Sequence, residues 1–133
     1  MRILSFSKKW SKLNQPEFTT FRFRRKGKDW EVGEYVKIVY KPRSKDQEIL
    51  GIGEIIAKEA RWMGVHPQRT DIPEITEQEA IEDGFKGKLP ARMLMHVWLA
   101  HTYGKSRVKI RGQIYYGYRF ELEPMNKLIL KRR

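Results

Sequence analysis

Eight residues, "FTTFRFRR" (18–25), set a hydroxyl and two guanidinium groups at alternate positions of one short run. Read with the two-residue period of a strand, Thr20, Arg22 and Arg24 fall on one face and Thr19, Phe21 and Phe23 on the other. Arginines in that spacing can hold phosphate oxygens in bidentate forks, and the threonine can hydrogen-bond a base edge or a sugar. The same hydroxyl becomes a nucleophile only if a neighbouring base takes its proton or a cation lowers its pKa. Three roles follow for the polar face: a solvated sheet surface, a phosphate-binding surface, or part of an active site.

Charge favours a polyanionic partner. The 133 residues carry 28 Lys+Arg against 16 Asp+Glu, a formal charge of +12. Residues 1–45 hold 13 basic and 4 acidic side chains, residues 46–90 hold 5 and 10, and residues 91–133 hold 10 and 2, so net charges of +9, −5 and +8 follow one another. Two basic ends around an acidic middle make one basic face if the ends meet in the fold, and each phosphate neutralised there releases counterions. Lys105, Arg107, Lys109 and Arg111 alternate with non-basic residues in "GKSRVKIRG", so a hairpin would align four cations for backbone attraction without sequence information. The tail residues Lys131, Arg132 and Arg133 either add to that attraction or fray and contact nothing. Lys8, Lys9 and Trp10 put two cations beside an indole, on which a stacked base contributes about 1–3 kcal/mol; packing of Trp10 into the core is the alternative. RNA, single-stranded or structured, is the expected partner.

Several classes are set aside. With no cysteine there are no disulfides or thiolate metal sites. Of the three histidines, His66, His96 and His101, the last two lie five apart on an expected helix, splayed by roughly 140°. No metal site and no cofactor are expected. No apolar run is long enough to span a membrane, and "MRILSFSKKW" lacks the long apolar region of a signal peptide, so a cytoplasmic protein is expected. The length suits one domain over residues 1–133.

The elements that must position these residues read as strands, then helices, then strands. "RILSF", "TTFRFRR", "WEVGEYVKIVYK" and "ILGIGEIIAKEARWM" are strand-like, with Gly51 and Gly53 placed to ease bending at a barrel corner, and "SKKWSKL" is one or two helical turns. "ITEQEAIEDGF" opens with Thr76 and, three residues on, Glu79, a capping box, and closes at Gly84. "LPARMLMHVWLAHTYG" predicts a helix from Pro90 to Gly104 whose stripe Met93, Leu94, Val97 and Trp98 should face the core. The strands "QIYYGYRFELE" and "KLILKRR" complete the chain, and "RWMGVHPQRTDIP", with Arg61, Trp62 and Arg69, reads as a mobile rim. The class is α+β, a small barrel with inserted helices covering one side.

In order, "LSFSKKW", "TTFR", "WEVGEYVKI", "ITEQEAIEDGF" and "YYGYRFELE" resemble segments of the ASCH domain family. "TTFR" is similar to its Gly-x-Lys-x-x-Thr-x-Arg signature, "WEVGEYVKI" to its W-x-x-Gly-Asp turn, and "ITEQEAIEDGF" to its Thr-Glu-x-x-Ala-x-x-Glu-Gly-Phe helix. The resemblance implies a PUA-like β-barrel with a cleft beside it and an association with RNA. Some small members are amidohydrolases of acetylated cytidine that use a lysine, a threonine and a glutamate, and another member is a ribonuclease. By position the threonine falls on Thr20, the arginine on Arg22 and the acidic residue on Asp83. The lysine falls on Glu17, which reverses the charge and leaves a carboxylate as the nearby base. The resemblance thus implies an RNA- or modified-nucleotide-binding module, with a hydrolase of RNA or of a modified nucleoside as the alternative and Thr20 and Asp83 as its candidate catalytic residues. Arg22 has a purely structural alternative, an ion pair to Asp83 or Glu82.

Overall fold

A computed structural model describes residues 1–63 and 71–133. The chain is α+β, built on a five-stranded sheet that curls into a half-barrel. In chain order come β1 (Arg2–Phe6), a 3₁₀ turn (Ser11–Asn14), β2 (Glu17–Phe23), β3 (Tyr35–Tyr40) and β4 (Glu48–Arg61). They are followed by α1 (Glu77–Asp83), α2 (Ala91–Tyr103), the hairpin β5 (Lys105–Ile110) and β6 (Gln113–Tyr118), α3 (Arg119–Leu122) and β7 (Met125–Arg132). The sheet runs β1-β3-β4-β7-β2, parallel between β1 and β3 and antiparallel elsewhere, so β1 and β2 are its two free edges. No helix among the described residues is long and apolar enough to cross a membrane.

Curling is built into the register. Gly51 adopts φ +143 where the pairing of β3 with β4 slips between Ile38 and Val39, a bulge of the kind that bends a sheet. A second slip between Ile55 and Ala57 bends β4 against β7. The concave side encloses one core with Leu4, Phe18, Val36, Ile38, Leu128 and Leu130, and the other side packs a second core, with Phe21, Phe23, Phe85, Met95, Leu99 and Phe120, under the helices.

The helices end where local chemistry dictates. Thr76 Oγ1 accepts from Glu79 N–H (3.0 Å), and Glu79 Oε1 accepts from Thr76 N–H (3.1 Å), completing the capping box of α1. Gly84 caps the other end at φ +114, and a Cβ there would lie 2.8 Å from Trp10 Cε3. Pro90 offers α2 no side-chain cap, so Glu77 does so from α1, accepting from the N–H groups of Ala91 (2.7 Å) and Arg92 (2.9 Å).

Three expectations are corrected. Of the expected stripe of α2, Leu94 and Trp98 pack against the core, but Met93 and Val97 are 49% and 48% exposed, and the face is centred on buried Ala91, Met95 and Leu99. "QIYYGYRFELE" is not one strand, because β6 stops at Tyr118 and residues 119–122 turn helical, burying Phe120. The basic tail neither frays nor reaches out: β7 runs to Arg132, whose guanidinium donates to the carbonyls of Leu13 and Leu50, and Arg133 pairs with Glu54. Of the expected rim, Arg61 and Trp62 are anchored, with Arg61 on Glu79 and Trp62 buried, whereas His66 and Arg69 lie outside the described residues.

Candidate functional site

Both faces of β2 are covered. Phe21 and Phe23 point to the helix-side core, while Phe18, Thr20 and Arg22 share the concave side, with Phe18 in the core enclosed there. The polar face is therefore an interior row that passes from phenylalanine to threonine to arginine and is no solvated sheet surface. Thr20 is buried, and Arg22 is half-buried with its guanidinium 4.6 Å over the Phe6 ring. Phe6 also meets Phe18 edge-on at 6.3 Å. Arg22 Nη2 donates to Ser5 O at 2.7 Å. The arginine thus spans from β2 to β1, joining the two edges that backbone pairing leaves apart.

The 3₁₀ turn fills the space beside that seam and delivers a group that the strand pattern does not reveal. Lys12 is buried, and its Nζ donates to Asp83 Oδ1 (2.5 Å) and to Thr19 O (2.7 Å). Burial pushes the Lys12 ammonium below its ordinary 10.5, opposed by the charge and hydrogen bond of Asp83. Burial likewise pushes the Asp83 carboxyl above its ordinary 3.8, opposed by Lys12 and then Arg22. Arg22 is also lowered by desolvation but remains a cation, as arginines do in proteins. Asp83 pairs with Lys12, so the structural alternative for Arg22, an ion pair with Asp83 or Glu82, gives way to the bond to Ser5.

These groups line a cleft of about 230 Å³ between β1, β2, the 3₁₀ turn and α2. Thr20, Arg22, Lys12 and Asp83 supply polar atoms, and Trp10, Phe85, Trp98 and Tyr103 supply rings. Trp10 meets Phe85 at 5.1 Å and Trp98 at 5.4 Å between centroids, so one wall of the cleft is a connected aromatic layer. A cavity of roughly 150 Å³ admits benzene, so this one has room for a single ring with polar substituents.

Glu17 has no part in it. It is exposed, it stands opposite Lys131 on β7, and three residues along a strand put it on the face away from Thr20. A base at that position cannot serve this hydroxyl. Thr20 Oγ1 accepts instead from Arg22 Nε, at 3.4 Å.

A second concavity of about 640 Å³ adjoins the cleft. Arg24, Arg25, Lys26, Arg107, Lys109 and Arg119 line it, and the one carboxylate among its described residues, Glu123, is held by Arg119 at 2.7 Å. Phe23 on this side and Tyr103 on the cleft side meet edge-on at 4.9 Å, forming the partition between the two spaces.

The expected site residues thus divide. Trp10, Thr20, Arg22 and Asp83 come together in the cleft, and Arg24, Arg107 and Lys109 in the basic groove. Lys8 lies over the Trp10 ring at 4.4 Å, outside the cleft. Lys9 turns away to Glu48 and Tyr40. Lys105 shares a face of β5 with Arg107 and Lys109, but Arg111 sits in the turn at φ +48, so three cations are aligned and not four. Lys12, Tyr103 and Arg119 join the site without having been singled out, and Trp98, expected only as a core residue, joins them. For Lys12 no local signal exists, because its partner lies 71 residues away. Comparison with protein-family models, curated proteins and solved structures finds no match in any of the three.

Proposed function

We propose that this protein is an RNA-binding module of ASCH type with a PUA-like barrel, which takes one unpaired base into the cleft while the adjoining groove holds the backbone. The observation that carries this reading is the juxtaposition of a ring-sized cleft, aromatic on one wall and polar on the other, with a groove of six basic side chains whose one acid is neutralised. Stacking suits any base, and buried polar groups beside the rings can read an edge or a modification. The test is a titration with short single-stranded RNA at several salt concentrations. Each phosphate contact contributes a slope of about −0.7 in log K against log salt, so Arg107→Ala should flatten the slope by about that amount. Trp98→Ala should weaken binding while leaving the slope unchanged. No binding at low ionic strength refutes the proposal.

One observation favours a second reading, hydrolysis of a modified nucleoside such as acetylated cytidine, or of RNA. Lys12, from the 3₁₀ turn, brings an amine to the cleft that Thr20 and Asp83 also line, whereas the strand itself carries only Glu17. Burial lowers the Lys12 pKa, the direction in which an amine becomes a base for a threonine hydroxyl, with Asp83 opposing it. Incubation with acetylated cytidine and with labelled RNA separates the readings. Turnover that disappears in Thr20→Val supports the enzyme, and binding without turnover supports the module.

A further inference from the structure

We propose that the groove on the outer side of the Trp10–Trp98 wall is a second base-stacking site, for the nucleotide adjoining the one held in the cleft; this rests on the RNA-binding reading. The groove measures about 450 Å³, and Trp10, Phe85 and Trp98 line it as well as the cleft, so a single layer of rings separates the two spaces. Its remaining floor is Leu94 and Val97 on α2.

Three features select a nucleotide as the occupant. First, α2 holds Val97 half in solvent, although Met95 and Leu99 on the same helix are buried, so apolar surface stays open beside the rings. Second, the rim is basic and carries no carboxylate among the described residues: Lys8 lies over the Trp10 ring, leaving Trp98 and Phe85 as the open rings, and Lys86 and His101 also line the groove. A flat apolar surface with cations at its margin matches a base with its phosphate. Third, the basic groove and this one adjoin the cleft across two different ring pairs, Phe23 with Tyr103 and Trp10 with Trp98. A strand that places one base in the cleft has its neighbour delivered to the outer groove, with Lys8 or Lys86 able to meet the linking phosphate.

The experiment compares the four nucleoside monophosphates with the full set of dinucleotides on the intact chain, following the tryptophan indole N–H resonances at low salt. The best dinucleotide should bind roughly 5- to 140-fold tighter than its monophosphate, the equivalent of ~1–3 kcal/mol at 1.4 kcal/mol per tenfold. Val97→Glu should abolish that gain and leave monophosphate binding unchanged, and Val97→Lys, which keeps the positive rim, should reduce it. Should monophosphates bind while dinucleotides gain nothing, or the gain survive Val97→Glu, the outer site is overturned and the cleft reading stands. Should neither class bind, both readings fall. Should an acidic helical peptide bind in a Val97-dependent manner while dinucleotides gain nothing, the groove is a protein site and the proposal is wrong.

Discussion

Replacing Lys12 by methionine removes the ammonium and keeps a similar length of apolar chain, leaving the Asp83 carboxylate without its closest partner. Lys12 and Asp83 are 8% and 7% exposed, so water reaches the lost contact only from the cleft that both side chains line. Breaking a buried pair from one side costs about 3–5 kcal/mol, a large share of the ~5–15 kcal/mol that holds a domain folded. With a urea slope of about 2 kcal/mol/M, the midpoint of Lys12→Met should fall by roughly 1.5–2.5 M at pH 7. Adding Asp83→Asn removes the stranded charge, and the double variant should recover most of the loss.

The pH dependence checks the cause. Burial raises the folded-state pKa of Asp83 above its unfolded 3.8, so the folded protein binds that proton more tightly than the unfolded chain. The penalty is therefore present above the folded value and shrinks as pH falls through it. Without Lys12, the first group that opposes the rise is gone, so the stability gap between Lys12→Met and the parent should narrow on acidification from pH 7 towards 4. A gap below about 1 kcal/mol at pH 7, or one that does not narrow, would show that the pair is hydrated and refute the description of the site.

Other perturbations test the surrounding frame. Gly84→Ala forces a side chain to φ +114 and sets its Cβ 2.8 Å from Trp10, and calorimetry should show a loss of about 2–4 kcal/mol. Arg22→Met removes the charged donor to Ser5 and should cost about 1.5–3 kcal/mol in urea unfolding, with faster amide exchange in β1 than elsewhere in the sheet. Thr76→Ala breaks the capping box and should cost about 1 kcal/mol, read as a fall in melting temperature of about 3–5 °C. Glu79 feels burial, which raises its pKa, but the Lys127 bond, the Thr76 N–H and the charges of Lys127 and Arg61 outweigh it and hold the carboxyl below its ordinary 4.5. Its stabilisation is thus complete above pH 4.5 and lost as pH falls through the folded value, so Glu79→Gln should flatten the acid limb of the stability profile.

What was legible in the sequence was what neighbouring residues decide among themselves. The capping box at Thr76 and Glu79, the left-handed close at Gly84 and the bend at Gly51 rest on contacts or dihedrals confined to a few residues, so residue type alone announces them. The alternation in β2 was equally local. It separated Thr20 and Arg22 from Phe21 and Phe23 correctly, yet it could not say that both faces would be covered, because the covering groups come from β1, the 3₁₀ turn and α2. Helix α2 shows the opposite limit. Leu94 and Trp98 lie beside Ala91, Met95 and Leu99 around the helix axis and all five pack inward, whereas Met93 and Val97 extend the apolar surface past the core, so periodicity alone does not say where the buried face ends. That face is centred on Ala91, buried at the start of α2, where Glu77 of α1 caps the helix.

The lysine in the site follows the same division between local and distant causes. A strand puts residues 17 and 20 on opposite faces, so in this register no side chain at position 17, whether lysine or glutamate, projects to the same side as Thr20. The amine can reach the cleft only from an element lying across the seam, and the turn at Ser11–Asn14 is that element, because Leu13 anchors it in the core beside Lys12. Lys12 in turn is tolerable inside the protein only because Asp83 at the end of α1 receives it, and α1 ends there because Gly84 lets Trp10 pack against its backbone. Trp10, Lys12, Asp83 and Gly84 are therefore one structural unit, and the aromatic wall and the buried charge pair of the cleft stand or fall together.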